Sequence, residues 1–391
     1  MSSLQHELAP HYGELRRIRT RRQLERSALW AEIGGDVERV LGGLARGHHA
    51  DARPLAGTLR AVAWNVQRGA NLDALIAALR GDPELARADV LLLSEVDVGM
   101  GRSGNRDVAR ELADALGMSY AFAVSYLALE DDYLENPDQT PNTLALAGSA
   151  ILSRAPILRA VNADLPALRD KFGSSRRWRA RADARGSGEK RLGQKRAVIV
   201  ELATTGGSVV VAQAHLDSTA SPRQRTRQLA ALLDAADALG APRLLLGGDL
   251  NTTTYNASSP WALGADILHK LVVTGFARTV DNYLTPERRY ETPLFELLRA
   301  RGLAVDGFNA RGEGTMIWDL AEPYTLAKVE GAIGSLVTRW LCRRLRPWNG
   351  RVAAHLDWFA GRGLAPRGGQ VVRPAGARAS DHDPIVCDVA L

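Results

Sequence analysis

Cysteine is scarce in this chain, and so are the segments that direct a protein out of the cell or into a membrane. The two cysteines, Cys342 and Cys387, lie far apart without metal-ligand spacing, so we expect reduced thiols in a reducing compartment. The first residues lack the basic and apolar segments of a secretory leader. No apolar run approaches the length of a membrane span. These absences predict a soluble, cytoplasmic protein.

Lysine is also scarce, since five of the 50 basic residues are Lys and 45 are Arg. The net charge of +6 and the sequence pI of about 9.5 suit an anionic partner. The low ratio of Lys to Arg, in a chain rich in alanine, favours another origin of the global charge, namely the nucleotide composition of the genome. Local basic clusters are therefore more informative than the total.

Two catalytic motifs are missing as well. The sequence has neither a Gly-x-Ser-x-Gly elbow nor a phosphate-binding P-loop. Acyl transfer and nucleotide-driven phosphoryl transfer therefore lack support, and any chemistry must rest on other groups.

The chain does have a large apolar content, 46% of 391 residues, and strand-like segments that alternate with helix-like ones from Leu59 onward. Strands are predicted at 59–64, 90–93, 120–124, 150–152, 197–202, 209–214, 244–246 and 385–389, and helices at 72–79, 107–116 and 222–239. This mixture predicts an α/β domain with a large sheet core.

The first part of the chain differs from this alternation. Apolar residues recur at helical spacing from Leu29 to Leu44. We interpret residues 1–54 as a helical extension and linker that packs on the main domain, 55–391, or on a second copy. The basic run Arg16–Gln23 indicates either a solvated helix face or an arm that binds nucleic acid.

Two further stretches interrupt the alternation. Residues 170–196 are basic, which indicates either a solvated loop or a loop that lines a phosphate track, with Trp178 available for stacking. Residues 278–350 are predicted to be an insertion. In it, an apolar helical stripe from Leu326 to Leu345 is edged by arginines. The stripe suits a helix on a membrane surface or a helix packed on the core.

One short stretch, 243–253, combines a strand with polar residues. The apolar strand is followed by Gly247 and Gly248, which we expect to let the backbone turn and to leave clearance for a ligand. Asp249 and Asn251 come next, and on an extended backbone their side chains point the same way. The alternative is an ordinary polar turn after a strand.

Several predicted strands end in side chains that can do chemistry. These residues are Asn65, Glu95, His215, Asp249 with Asn251, Asp357, and Asp381 with His382. Because a sheet holds such residues rigidly at an open edge, we expect them to form one site. The oxygen donors Asn65, Glu95 and Asp381 suit Mg²⁺ or Mn²⁺ rather than zinc.

The remaining residues of this set suit hydrolysis. Asp249 and Asn251 are able to position an attacking water. The two histidines, His215 and His382, are available for proton transfer and phosphate contact, and Asp357 is a candidate to orient one imidazole. A metal, an oriented water and an imidazole together predict hydrolysis of a phosphate ester.

Seven motifs occur in a recognisable order. They are Trp64-Asn65, Ser94-Glu95-Val96-Asp97, 148–153, Ala214-His215-Leu216, Gly248-Asp249-Leu250-Asn251, 355–359 and 380–384. In this order they resemble the endonuclease/exonuclease/phosphatase superfamily over residues 59–391. The resemblance implies a four-layer α/β/β/α sandwich, two mixed β-sheets flanked by helices, with the site at one edge. It also implies that Glu95 is the main metal ligand, with Asn65 and Asp381 beside it.

The resemblance implies roles for the other residues too. Asp249 matches the residue that orients or deprotonates the water, next to Asn251. His215 matches a phosphate-binding or acid histidine. The second histidine, His382, matches one that pairs with an aspartate, which here is Asp357.

Three positions bear on substrate choice. Arg196 resembles an arginine that contacts phosphate. Ser149 stands where members commonly have Asn, and Gln67 stands where abasic-site nucleases commonly have an acidic residue. The extension and the insertion match no branch of the family.

The first functional hypothesis is divalent-metal-dependent hydrolysis of a phosphodiester by a nuclease-like enzyme. The basic loop with Trp178 favours a nucleic acid. The amphipathic stripe of the insertion favours the alternative, a phospholipid or inositol-phosphate phosphoesterase. A second alternative is a catalytically silent binding protein on the same fold, against which every expected polar position holds a competent residue.

Overall fold

The computed structural model describes residues 4–129, 136–167, 170–173, 190–240, 242–252, 260–269 and 275–391. Trp178 and the basic run around it lie outside the described residues. The described helices are α1 (Tyr12–Arg17), α2 (Arg21–Glu25), α3 (Ala28–Leu41), α4 (Leu72–Gly81), α5 (Val108–Leu116), α6 (Pro222–Asp237), α7 (Pro260–Leu268), α8 (Phe276–Asn282), α9 (Thr292–Ala300), α10 (Pro323–Ile333) and α11 (Ser335–Arg344). The described strands are β1 (Leu44–Gly47), β2 (Thr58–Arg68), β3 (Val90–Val98), β4 (Ser119–Ala128), β5 (Leu146–Ser153), β6 (Ile157–Asp164), β7 (Arg191–Gly193), β8 (Arg196–Thr204), β9 (Gly207–His215), β10 (Leu244–Asp249), β11 (Met316–Asp319), β12 (Arg351–Ala354), β13 (Asp357–Arg362), β14 (Ala365–Val371) and β15 (Ile385–Ala390).

Most of these strands form two mixed sheets. The first has the order β1-β4-β5-β3-β2-β15-β14, with β7 also paired to β4. The second has the order β13-β10-β9-β8-β6. In the first sheet β2 and β3 run parallel, and in the second β9 and β10 do, whereas their other neighbours are antiparallel. The strands and helices predicted from Leu59 onward all occur, with ends that differ by a few residues.

The sheets pack face to face, with helices on both outer faces. Along β2, Ala61 and Ala63 point into the core between the sheets, whereas Val62, Trp64 and Val66 point to the outer core beneath the helices. This alternation follows from the two-residue period of a strand. On the outside of the second sheet a third core joins α6 and α9 to β8, β9 and β10. The chain is therefore an α/β protein with two mixed sheets flanked by helices, as predicted.

The N-terminal extension packs on the main domain. Helix α3 begins at Ser27, whose hydroxyl accepts from the Trp30 amide, and its apolar residues lie in the same core as the outer face of the first sheet. Leu44, predicted to continue the helical stripe, instead lies in β1, opposite Ala123 of β4. The helix ends before it because Gly42 and Gly43 follow Leu41, and glycine is a poor helix former. Of the two packing alternatives, the structure therefore has the first.

The apolar stripe predicted in the insertion as one helix is divided between two helices, α10 and α11. Between α10 and α11 the chain turns at Gly334, whose φ of 83° breaks the helix. Leu345 and Val352 are buried in a small separate core. On α11, by contrast, Leu336 is 75% exposed and Trp340 is 43% exposed. None of the described helices is long and apolar enough to span a membrane.

Candidate active site

The site residues gather at one edge of the two sheets. His215 and Asp249 are paired in register at the carboxyl ends of the parallel strands β9 and β10. Asp357 faces Asp249 across the antiparallel pair of β10 and β13. Asp357 was expected to end a strand, but it begins β13, and His382 likewise precedes β15. An antiparallel neighbour brings its beginning to the edge where the other strand ends, so both residues still reach the site.

The two glycines before Asp249 lie inside β10 and do not end it. A Cβ on Gly247 would lie 2.4 Å from the Phe359 ring, and one on Gly248 would lie 2.1 Å from the Ala214 carbonyl oxygen. Gly248 also has a φ of 135°, which L side chains rarely adopt. The glycines therefore make room for neighbouring parts of the protein, whereas clearance for a ligand was expected.

Asn65 and Glu95 lie at irregular points of β2 and β3. The register between these strands shifts after Asn65, and Glu95 has a φ of 55°. Gln67 and Arg68 also have positive φ values, of 45° and 68°. Left-handed backbone at non-glycine residues costs about 1–3 kcal/mol each and is concentrated at functional sites. Here it accompanies an ion pair in which Arg68 Nη1 lies 3.0 Å from Glu95 Oε2.

Five of the predicted residues converge directly. Asn65 Nδ2 donates to Asp249 Oδ2 at 3.1 Å. His215 Nε2 lies 3.7 Å from Asp249 Oδ2 and 3.8 Å from Glu95 Oε1. The backbone amide of Asn251 donates to Asp249 Oδ1 at 2.8 Å, which fixes the second carboxylate oxygen. Asp249 is thus held on both sides, while the Glu95 side chain is 25% exposed.

His382 and Asp357 form the predicted pair. His382 Nδ1 lies 2.8 Å from Asp357 Oδ2, and both side chains are buried. Thr315, from the insertion, donates to the same carboxylate oxygen at 2.6 Å. Ser380 supports the histidine from the other side, because its hydroxyl accepts from the His382 amide at 3.1 Å and donates to the Asn65 carbonyl at 2.6 Å. The imidazole is therefore fixed with Nδ1 toward the carboxylate.

Burial and charge shift the protonation of this group. Burial and the nearby Asp357 raise the pKa of Asp249 to about 7. Burial acts to lower the pKa of His382, but Asp357 outweighs it and holds that pKa well above 6.5. Burial and the Lys195 ammonium hold the pKa of His215 well below 6.5. Burial opposes ionisation of Glu95, yet Arg68 and His215 hold its pKa well below its usual range.

Two predicted residues stand apart from this convergence. Asp381 reaches the site through its neighbours, since its amide donates to Gln67 Oε1 at 3.0 Å and its Oδ1 accepts from Ser380 at 3.4 Å. Within the described residues, no hydrogen bond joins it to Glu95. The Arg196 guanidinium pairs with Asp164 and donates to the backbone, so its described partners all lie outside the site.

Three residues were missed by sequence reasoning. Thr315 was hidden in the insertion, and Arg68 follows Asn65 without any motif of its own. Lys195, directly before Arg196, is the cation whose charge acts on Glu95, His215 and Asp249. The signal available for Lys195 was its place directly before Arg196, in the link between β7 and β8.

The donor set fits a divalent cation. The carboxylates of Asp249 and Asp357 lie with a His382 nitrogen inside 4.8 Å of one another, all three buried. The Oδ1 atom of Asp357 is buried and has no hydrogen-bond partner in the described parts of the chain. The carboxylates of Glu95 and Asp249 and the amide oxygen of Asn65 are hard donors of the kind that Mg²⁺ and Mn²⁺ take. Since His382 Nδ1 is already committed to Asp357, the Glu95 side is the better place for the ion.

Comparisons with known proteins concern the family and the fold of the chain. A family model described as Endonuclease/Exonuclease/phosphatase family matches residues 62–382. A solved endonuclease/exonuclease/phosphatase from Beutenbergia cavernae is similar at 18% identity and a TM-score of 0.51, over 86% of this chain and 72% of that one. The human Nocturnin catalytic domain with bound sulfate is similar at 16% identity and a TM-score of 0.43, over 85% and 93%. A Bacteroides vulgatus endonuclease/exonuclease/phosphatase is similar at 11% identity and a TM-score of 0.46, over 85% and 98%. No curated protein matches the sequence significantly.

Proposed function

The chain belongs to the endonuclease/exonuclease/phosphatase family of metal-dependent phosphoesterases, and from that premise we propose that it hydrolyses a phosphodiester in the manner of a nuclease. The observation that carries the proposal is the convergence of Asn65, Glu95, His215 and Asp249 beside a buried His–Asp pair. Strained backbone and buried charges are costly, so their presence at this edge supports an enzyme over a catalytically silent binding protein.

Each residue has a proposed role. Glu95, with Asn65 and Asp381, holds Mg²⁺ or Mn²⁺, which when bound polarises a phosphoryl oxygen and lowers the pKa of its water. Asp249, held by hydrogen bonds on both oxygens, orients the attacking water and accepts its proton. The side-chain amide of its neighbour Asn251 donates to the Leu216 carbonyl at 2.9 Å and so ties together the segments that follow β9 and β10.

The histidines act on the phosphate. His382, kept cationic by Asp357, stabilises the negative charge that develops on the phosphoryl oxygens. His215, kept neutral by burial and by Lys195, contacts the phosphate by donating a hydrogen bond from its ring N–H. Arg196 remains the proposed phosphate contact, and to reach the phosphate its guanidinium has to leave its partner Asp164.

We also propose a cytoplasmic location for the protein.

Hydrolysis of bis(4-nitrophenyl) phosphate, plasmid DNA and RNA with Mg²⁺ or Mn²⁺ tests the proposal. We expect turnover by the native chain and a fall in kcat of about 10²-fold or more in Asp249→Asn and His382→Ala. Asp388→Asn is a matched control, because that carboxylate pairs with Arg60 away from the site. Unchanged rates in both site variants would refute the assignment.

A second candidate function is hydrolysis of a phospholipid or inositol phosphate. It is favoured by helix α11, where Leu336, Val337 and Trp340 are exposed on the same helix as Arg339 and Arg343. Apolar side chains edged by arginines suit an anionic membrane surface. Co-sedimentation with phosphatidylcholine vesicles, with and without added phosphatidylserine, separates the candidates. Binding by the native chain and its loss in Leu336→Glu would favour the lipid substrate.

A further inference from the structure

Three cations lie together beside the active site. Lys171 and Arg191 flank the ring of Tyr126, with Lys171 Nζ 5.1 Å and Arg191 Cζ 5.2 Å from its centre. The backbone fixes this arrangement, because the Arg191 amide donates to the Lys171 carbonyl at 3.3 Å. Strand β7 also pairs with β4, which places Gly193 opposite Tyr126. Lys195 follows two residues after this strand and is half-buried.

The cluster borders the proposed metal side of the site. The Lys195 charge acts on Glu95 and Asp249, and the Arg191 charge acts on Glu95 and on Arg68. One nearby carboxylate belongs to the cluster, that of Asp217, 3.7 Å from Lys171 Nζ. The Lys195 ammonium makes no hydrogen bond to any residue in the described ranges.

Cations that are partly buried and close together are costly unless an anion joins them. Lys171 and Lys195 oppose each other electrostatically, and burial withdraws Lys195 from water, where an ammonium is strongly hydrated, while the Lys171 side chain stays 30% exposed. Arg191 adds a third positive charge that opposes Arg68. The nearby carboxylates already have partners, since Asp217 pairs with Lys171 and Glu95 pairs with Arg68. A phosphate group has the charge and the several acceptor oxygens that such a set of donors requires.

We propose that Lys195, Lys171 and Arg191 form a subsite for a second phosphate group of the substrate. The enzyme then acts on a phosphoester that carries another phosphate close to the one it cleaves. This inference rests on the proposed function for the scissile phosphate, but none of the three cations is among the residues proposed to contact that phosphate. Two sources share this chemistry, which are the neighbouring phosphodiester of a nucleic-acid strand and the phosphomonoester of a small bisphosphate.

Binding tests the subsite without relying on catalysis. Titration calorimetry compares thymidine 3′,5′-bisphosphate with thymidine 5′-monophosphate on the native chain in the presence of Mg²⁺. We expect the bisphosphate to bind about tenfold or more tightly, which is the gain typical of charge-assisted hydrogen bonds. Lys195→Met should remove most of that preference, and Lys195→Arg should restore part of it. Equal affinities for the two nucleotides on the native chain would overturn the proposal.

A matched pair of substrates tests the same subsite during turnover. Thymidine 5′-(4-nitrophenyl phosphate) is compared with its 3′-phosphorylated form, and the readout is the ratio of their kcat/KM values. We expect Lys195→Met and Lys171→Met to lower this ratio about tenfold. The control Arg87→Met, a cation with a 61% exposed side chain that pairs with Glu84, should leave it unchanged. An equal loss with both substrates would instead place Lys195 at the scissile phosphate and overturn the proposal.

The outcomes separate this inference from the proposed function. If the native chain hydrolyses neither compound yet prefers the bisphosphate in calorimetry, the proposed reaction fails and the subsite stands. If it hydrolyses both compounds with one kcat/KM, the subsite fails and the reaction stands. A third ligand, tetrathymidylate, distinguishes the two sources. Tighter Lys195-dependent binding of the tetranucleotide supports a nucleic-acid strand, and tighter binding of the bisphosphate supports a small phosphorylated substrate.

Discussion

Replacing Asp357 with Asn is expected to destabilise the fold in a pH-dependent way. The substitution leaves His382 buried without its counter-charge and replaces the carboxylate acceptor of its 2.8 Å hydrogen bond by a neutral amide. Breaking a buried ion pair by removing one partner costs about 3–5 kcal/mol. Asp249 compensates in part, because the loss of Asp357 removes a charge that raises its pKa and lets it ionise beside the histidine. We therefore expect a loss of about 3 kcal/mol, at the lower end of that range.

The sign of the pH dependence follows from the pKa of His382, which is raised in the folded state. Such a group contributes stability that is fully present below the unfolded pKa of about 6.5 and is lost as pH rises through the folded value. The free-energy difference between the native chain and Asp357→Asn should therefore be largest near pH 6 and shrink toward pH 10. Urea unfolding followed by tryptophan fluorescence measures it at both pH values.

The matched control is Asp388→Asn. Asp388 pairs with Arg60, and its pKa is lowered, chiefly by that hydrogen bond, so it stays ionised across this pH range. Its side chain is 35% exposed, and Arg60 keeps Glu84 as a second partner, so we expect a cost of about 1 kcal/mol or less at both pH values. If Asp357→Asn lost the same free energy at pH 6 and pH 10, the His382 charge would not depend on Asp357 and the reasoning would be refuted.

Three other substitutions give distinct outcomes. Glu95→Gln should raise the Mg²⁺ concentration for half-maximal activity about tenfold or more, since ligand charge sets affinity for hard cations; an unchanged metal titration would contradict this. Gly248→Ala should cost more than the about 1–3 kcal/mol of its φ alone, because the new Cβ would overlap the Ala214 carbonyl, and a thermal midpoint within error of the native chain would argue against this clash. Ser380→Ala should cost about 1–3 kcal/mol, because the buried His382 amide loses its acceptor, and Ser380→Thr should recover stability if the hydroxyl is what matters.

The alternation of apolar segments was enough to predict the α/β core and the strands that carry the site. It worked because these strands are buried on both faces and end in residues of unusual chemistry. Local sequence was sufficient to nominate Asn65, Glu95, His215 and Asp249, because each lies in a strand directly after its apolar residues. The sequence order of the motifs then indicated the fold family.

Features that depend on distant pairing could not be predicted in this way. The direction of β13 decides that Asp357 begins a strand, and nothing near Asp357 reports that direction. Thr315 reaches Asp357 from 42 residues away in the chain. The choice between Lys195, just before β8, and Arg196, its first residue, depends on how the chain enters that strand, which the local sequence does not show. Gly247 and Gly248 of β10 are required because the Phe359 ring and the Ala214 carbonyl on neighbouring strands leave no space for a Cβ. No local sequence pattern shows this.

Strand β1 changes what the N-terminal part of the chain means for the protein. It pairs with β4 over Leu44–Gly47 and so occupies backbone donors and acceptors at that side of the first sheet. A chain shortened to begin at Leu55 would leave this row of β4 groups open, together with the apolar surface that α3 covers. Open sheet edges recruit other strands, so such a chain is prone to aggregate. We therefore expect the first 54 residues to limit self-association through β4, and a fragment made for activity measurements should include them.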